Sequence, residues 1–323
     1  MGSENNTVKT MKKIIKTTAL MLIAAFLIVS FTGCHSADKP AENTTATTQN
    51  QEAESTTLEV IDPEDIEWDI DGAEFKNNDE LINILLIGQD RREGEGRQRS
   101  DAMILCSINP QTNKMAMISF LRDLYVQIPG YEDNRLNAAY AYGGFELLKE
   151  TLNLNFGITV DGCLESDFEG FEKIIDTVGG VDIELNDEEA NIVGDGATEG
   201  LCTLNGEQAL IYARIRKIDS DFQRTARQRK IMSAVFEKAK TYSLTELAMF
   251  FSEIMPLMAT DMTEDEIMSL ALTIASSFSE LETSSYIVPA DGTYKNAMIR
   301  GMAVLVPDLA KIRELIFEEY LPL

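Results

Sequence analysis

Seven consecutive residues, Leu81-Ile82-Asn83-Ile84-Leu85-Leu86-Ile87, carry six aliphatic side chains and stop at Gly88. A strand with one wet face alternates apolar and polar positions, whereas a run apolar at nearly every position must be covered on both faces. This segment is therefore read as a central strand with a layer on either side. Ala102 to Ile108 and Met115 to Phe120 are two further runs, and the turn formers of Asn109-Pro110-Gln111-Thr112-Asn113-Lys114 between them predict a hairpin. Strands are also expected at Leu124 to Ile128, Ile158 to Leu164, Val181 to Leu185, Ser285 to Val288 and Met302 to Val306. Phe168, Phe171, Ile174, Ile175 and Val178 recur at helical spacing before the stop signal Gly179-Gly180. Ser243 with Glu246, and Thr263 with Glu266, have capping-box spacing and open helices expected over 244–259 and 264–280. Strands alternating with helices predict an α/β fold with a mixed central β-sheet sandwiched by α-helices.

The N-terminus has a different grammar. Lys12, Lys13 and Lys16 precede the apolar run Ala19 to Phe31, followed by Thr32-Gly33-Cys34. This predicts an export signal over 1–34. The run is shorter than the ~20 residues of a membrane span, so a lipidated Cys34 at a lipoprotein-type processing site is favoured over an uncleaved signal-anchor helix from about Thr17 to Gly33. Both readings place the remainder on the outer face of the membrane. Residues 35–80 read as a disordered tether and an acidic lead-in carrying the lone Trp68, because the segment up to Thr57 has almost no large apolar side chain to offset its ordering entropy. Residues 81–323 read as the folded domain.

Charge and composition remove several functions. Lys and Arg number 28 against 54 Asp and Glu, a formal net charge of -26. A nucleic-acid binder needs the opposite balance, so no nucleic-acid partner is expected and any positive patch must be local. The single histidine, His35, lies in the tether, which denies the folded part a serine-histidine-acid triad, a Cys-His dyad or a His-ligated zinc. Catalysis is left to carboxylates, arginines and a hard cation. Cys106, Cys163 and Cys202 are odd in number and cannot form a complete disulfide framework. A Cys163–Cys202 bridge is one option, and two free buried thiols are preferred.

Against that acidic background the arginines are placed with order. Arg91, Arg92, Arg97 and Arg99 fall between the first two strands, Arg122 follows the third, Arg135 follows a turn, and Arg214, Arg216, Arg224, Arg227 and Arg229 crowd one later segment. Strand ends are where open α/β sheets bind ligands. Any one of these arginines alone reads as a solvated charge. The segment from Asp221 to Lys240 reads differently: Asp221 can cap a helix whose apolar face holds Ile231, Met232, Val235 and Phe236, and Arg224, Arg227 and Gln228 precede these at three- and four-residue spacing. A guanidinium turned toward a core needs an anion, a helix N-terminus favours one, and arginine suits bidentate phosphate recognition. Internal salt bridges are the competing account. Asp90 and Asp101 flank the same region and suit Mg²⁺, which is held by one or two carboxylates and bridges to substrate phosphates. Gly94-x-Gly96 lacks both the P-loop and the dinucleotide spacing.

The order and spacing of six motifs are similar to those of the LytR-CpsA-Psr family. They are Asn83-Ile84-Leu85-Leu86-Ile87-Gly88-Gln89-Asp90-Arg91-Arg92 with Arg99-Ser100-Asp101; Ser119-Phe120-Leu121-Arg122-Asp123; Arg135-Leu136-Asn137-Ala138-Ala139-Tyr140-Ala141-Tyr142-Gly143-Gly144; Val178-Gly179-Gly180-Val181-Asp182; Leu204-Asn205-Gly206-Glu207-Gln208-Ala209 through Arg214-Ile215-Arg216; and Asp221-Phe222-Gln223-Arg224-Thr225-Ala226-Arg227-Gln228. They cover about residues 81–240. The resemblance implies an extracytoplasmic phosphotransferase of a Gram-positive-type envelope. It would move a teichoic acid, capsular or related glycopolymer from a polyprenyl-pyrophosphate carrier to peptidoglycan with Mg²⁺ help. By motif, Asp90 and Asp101 become the metal-site acids and, with Arg122, the catalytic set. Arg122, Arg214, Arg216, Arg224 and Arg227 would grip the pyrophosphate, with Arg99, Arg135 and Gln228 nearby. The chain departs from the family pattern at Leu121 (usually Pro), Arg135 (usually Lys) and Ala138 (commonly His). Two other readings are a polyprenyl-phosphate-binding sensor or carrier module, and a lipid pyrophosphatase.

Overall fold

The computed structural model describes residues 58–68, 80–89, 96–216, 221–275 and 278–322. The expected export signal, the expected lipidation site Cys34 and the expected metal ligand Asp90 lie outside them. The chain enters through β1 (Glu59–Val60), then lays down β2 (Ile82–Gln89), β3 (Ser100–Asn109) and β4 (Lys114–Phe120) as an antiparallel meander. A short ladder of β5 (Tyr125–Val126) and β6 (Asn134–Arg135) leads into α1 (Leu136–Phe156), and β7 (Gly162–Ser166) returns parallel to β2. There follow α2 (Phe168–Thr177), β8 (Val181–Leu185), α3 (Asp187–Val193), β9 (Gly200–Leu204), α4 (Gly206–Ala213), α5 (Asp221–Lys240), α6 (Leu244–Ile254), β10 (Ala259–Thr260) and α7 (Glu264–Ala275). The chain closes with β11 (Glu282–Val288), β12 (Tyr294–Ile299), β13 (Met302–Pro307) and α8 (Leu309–Leu315).

The main sheet has the order β10-β7-β2-β3-β4-β11, so the run that begins at Ile82 is an interior strand. Alternation along β3 sends Met103 and Leu105 to one face and Ile104, Cys106 and Ile108 to the other. The first face packs on Leu148, Leu152 and Phe156 of α1 and Ile312 of α8; the second packs with Ala239 of α5 and Leu247 of α6. Each large side chain buried this way contributes on the order of 1.5–3 kcal/mol, which is why the sheet is apolar on both sides. The β8–β9 hairpin stands apart and closes over its own core of Ile183, Leu204, Tyr212 and Ile231. The result is the α/β sandwich with a mixed central sheet that the alternation predicted.

Several boundaries move. The expected strand at 124–128 is reduced to Tyr125–Val126, and the one at 158–164 begins only at Gly162. The helix expected over 244–259 stops at Ile254, where Pro256 removes a backbone donor and a 3-10 turn, Met255–Leu257, takes over. That expected over 264–280 ends at Ala275, with a separate 3-10 turn at Phe278–Glu280. Both capping boxes form: Glu246 accepts from the Ser243 amide at 2.7 Å and Glu266 from the Thr263 amide at 2.7 Å. Cys106, Cys163 and Cys202 are free thiols; Cys106 and Cys163 are buried and Cys202 is half-buried. Burial pushes the Cys106 thiol up to about 12, so it is a core residue and not a nucleophile. Among the described residues no helix is long and apolar enough to cross a membrane.

Candidate active site

A register shift at the end of the two central strands aims the first acid. Gly88 pairs with Ala102 and Gln89 with Ser100, so Asp101 is the extra residue of a bulge and has no partner across the ladder. Its carboxylate meets Arg122, which follows β4: the Arg122 Nη1 donates to Asp101 Oδ1 at 2.7 Å. Arg122 also lies 3.7 Å from Asp123 and 3.7 Å from Asp221. Arg135 approaches Asp123 at 3.3 Å, Arg216 approaches Asp101 at 3.9 Å, and Arg224 binds Asp221 at 2.7 Å. Four guanidinium groups thus surround three carboxylates at one end of the sheet.

The pairing is incomplete where it is deepest. The Arg224 side chain is only 3% exposed, and its Nε and Nη1 have no hydrogen-bond partner; neither has Arg122 Nε. A buried N–H left unmet costs about 1–3 kcal/mol, more when charged. Burial pushes the Arg224 pKa down; Asp221 opposes that, while Arg122 and Arg216 add to it. Burial also works against the charge on Arg122, but the hydrogen bond to Asp101 and the fields of Asp221, Asp123 and Asp101 outweigh it and raise its pKa. Among the described residues the cleft therefore holds more guanidinium groups than carboxylates together with unmet donors, the complement of a phosphoryl group.

The remaining expected site residues differ in the partners they have. Arg227 was expected to grip pyrophosphate, but its Nη1 pairs with Glu189 at 3.3 Å and its Nη2 donates to the Ile215 carbonyl at 2.9 Å, with both side chains at most 8% exposed. The helix turn that buries it faces α3 and not the cleft, so the guanidinium already has its anion. Arg214 is exposed and lies over the Phe168 ring, 4.3 Å from its centre. Arg135 gives its Nη2 to the Ala303 carbonyl at 2.6 Å, leaving one edge toward Asp123. Arg99 is exposed and Gln228 half-buried. Asp221, expected to cap the helix, sits inside its first turn and gives its carboxylate to Arg224 and Arg122. Glu189 escaped the sequence reading. Its spacing from Asn186 explains one oxygen as a capping box, and nothing local signals that the other meets an arginine 38 positions away.

Among the described residues no group of three or more His, Cys, Asp or Glu side chains is placed to hold a metal ion. Asp101 is the described acid that suits one. Its Oδ1 is taken by Arg122, while Oδ2 lies 3.9 Å from Arg216. A groove of about 830 Å³ runs along another side of α5, past Ala226, Arg229, Ser233 and Glu237, and does not include the Arg122–Arg224 centre.

The profile of the LytR_cpsA_psr family matches residues 31–316. A protein of Bacillus mycoides named polyisoprenyl-teichoic acid–peptidoglycan teichoic acid transferase TagU is 34% identical over 236 residues, 72% of this chain and 76% of that protein. The protein of the same name from Bacillus anthracis is 36% identical over 195 residues, 59% of this chain and 64% of its own length, just under two thirds. Among solved structures, TagT bound to LI-WTA superposes with a TM-score of 0.61 at 27% identity, covering 74% of this chain and 89% of that one. The B. subtilis TagV crystal structure gives 0.60 at 28% identity, with 75% and 97% covered.

Proposed function

The chain belongs to the LytR-CpsA-Psr family, and we propose that it transfers a teichoic acid or related glycopolymer from a polyprenyl-pyrophosphate carrier to peptidoglycan at the outer face of the membrane. The observation that carries this reading is the buried, half-unpaired guanidinium of Arg224 beside Arg122 and Arg216. A pyrophosphate supplies the acceptor atoms these groups lack. The names of the TagU relatives and the wall-teichoic-acid title of the TagT structure support the choice of donor and acceptor.

In this mechanism a hydroxyl of the acceptor sugar attacks the phosphorus next to the glycopolymer. The new O–P bond forms as the bond to the polyprenyl phosphate oxygen breaks, and polyprenyl phosphate departs with the electron pair. Charge spreads over the phosphoryl oxygens during the step, and Arg122, Arg216 and Arg224 stabilise it from fixed positions. Asp123 and Asp221 hold Arg122 and Arg224 in register. A carboxylate, Asp101 of the cleft or Asp90 by its motif, takes the hydroxyl proton. Asp101 and Asp90 would hold a Mg²⁺ ion, which when bound would supply further neutralisation of developing charge. Anchoring through a lipidated Cys34 or an N-terminal helix keeps the cleft near its carrier lipid.

Purified protein given a short-chain polyprenyl-pyrophosphate saccharide and peptidoglycan tests the reading. A covalent saccharide–peptidoglycan product is expected. Release of free sugar phosphate without linkage would mean a lipid pyrophosphatase, and tight binding without turnover would mean a carrier or sensor module. For the anchor, Cys34→Ser is expected to abolish labelling by a fatty-acid probe; a wild-type chain that takes up no label and keeps its N-terminus leaves the signal anchor instead.

A further inference from the structure

Two large aromatic side chains are left in solvent beside the cleft. Tyr131 is 52% and Tyr142 41% exposed, yet their rings stack on each other with centroids 4.9 Å apart and planes 21° from parallel. Tyr131 lies on the connection between β5 and β6, and Tyr142 on the second turn of α1. The pair is pre-set: Asn134 Nδ2 donates to Tyr142 Oη at 3.0 Å. The loop carrying Tyr131 is stapled on the far side, where Trp68 Nε1 donates to Asp133 at 3.0 Å and Arg300 binds Glu132 at 2.7 Å. Asn134 is also the strand neighbour of Arg135, whose guanidinium reaches Asp123 at 3.3 Å. The aromatic surface is therefore joined to the ionic centre through one two-residue strand.

Rigid, exposed tyrosines give broad contact area at low entropic cost, with polar tips that fix orientation. The stack leaves about half of each tyrosine in solvent, and a flat apolar face ringed by hydroxyl, amide and carboxylate groups matches a pyranose, whose C–H groups form an apolar face between polar edges. The neighbouring cations are already engaged, Arg300 by Glu132 and Arg135 by Asp123, which disfavours an anion as the occupant. We infer that Tyr131 and Tyr142 form a saccharide platform that seats a sugar ring of the chain whose reacting end lies at Arg122 and Asp123. This rests on the transferase reading for the identity of the sugar, but its binding is measurable without turnover.

The test titrates the full-length protein with peptide-free peptidoglycan glycan strands of defined length, and separately with a polyprenyl-pyrophosphate disaccharide. Tyr131→Ala and Tyr142→Ala are each expected to weaken one of these ligands by roughly threefold to tenfold, the worth of one aromatic contact. Tyr142→Phe, which keeps the ring, should stay within about twofold of wild type on that scale. Weakened strand binding, with a raised KM for peptidoglycan and an unchanged KM for donor, places the acceptor sugar on the platform. Loss confined to the disaccharide places the donor sugar there. Alanine variants that remain folded and bind both ligands as the wild type does overturn the platform. Should an alanine variant misfold, Tyr131→Leu and Tyr142→Leu, which keep bulk but not a ring, decide the same question. Ring-dependent binding in a wild-type protein that never forms a linked product defeats the transferase reading and leaves the platform standing.

Discussion

Arg224 and Arg227 sit one turn apart on the same helix, both buried, in surroundings of opposite kind. At Arg224 the neighbours are shared: Asp221 serves Arg224 and Arg122 together, and two guanidinium nitrogens go without. At Arg227 a carboxylate and a carbonyl meet the guanidinium under the β8–β9 hairpin, against the ring of Tyr212. Burial of an arginine therefore says little about its use. What decides is whether the protein itself supplies the counter-charge.

The largest expected effect separates the two positions. Arg227→Gln leaves the Glu189 carboxylate buried without its cation and should cost about 3–5 kcal/mol, read by urea unfolding; a loss below 1 kcal/mol would dissolve the contrast. Next, Arg224→Gln should leave ligand-free stability unchanged or slightly higher, because Asp221 retains Arg122 at 3.7 Å and one repelling cation is gone. It should weaken polyprenyl-pyrophosphate binding by about 1.5–3 kcal/mol, the scale of a charged hydrogen bond. Calorimetry on the same samples checks both halves, and a destabilised variant with unaltered affinity would make Arg224 another structural pair. Asp101→Asn is expected to lower Mg²⁺-dependent turnover by at least about tenfold, near 1.4 kcal/mol, with little change in unfolding midpoint; equal activity in chelator and Mg²⁺ would remove the metal from the proposal.

A remote position gives the control. Ser243→Ala removes the α6 cap and should cost about 1 kcal/mol of stability with no effect on ligand binding. The same cap predicts a pH signature. The hydrogen bonds from Ser243 hold the Glu246 carboxyl below its ordinary value of 4.5, and those from Thr263 do the same for Glu266. A depressed folded-state pKa stabilises above the unfolded-state value and is lost as pH falls through the folded one. Hydrogen-exchange protection in α6 and α7, taken relative to the intrinsic exchange rate at each pH, should accordingly fall only below about pH 4.5, and a loss of protection near neutrality would contradict the cap.

What the sequence disclosed follows from how far each cause reaches along the chain. The covered strand at Leu81–Ile87, the hairpin over 109–114 and the caps at Ser243 and Thr263 are local, and they formed where expected. Helix α1 was not visible. Its buried positions, Ala138, Ala139, Tyr140, Leu147, Leu148 and Leu152, do not form one continuous stripe, because Gly144 breaks the helix with φ 69° and resets the face. The arginine spacing correctly put Arg224 and Arg227 on an inward side of the helix. Which of them would meet a partner depended on Glu189, and no period along 221–240 encodes that.

The last strands have a consequence for timing. The Asp123 carbonyl accepts from the Leu305 amide at 3.0 Å, Arg135 donates to Ala303, and Leu121 donates to Val288 at 2.8 Å. The floor beneath Asp123 and Arg135 therefore arrives some 170 residues after the residues it supports. A chain made from its N-terminus onward completes the support of Asp123 and Arg135 only after β13 has been delivered. A nascent or C-terminally clipped copy has the arginines but lacks the last strands on which Asp123 and Arg135 rest.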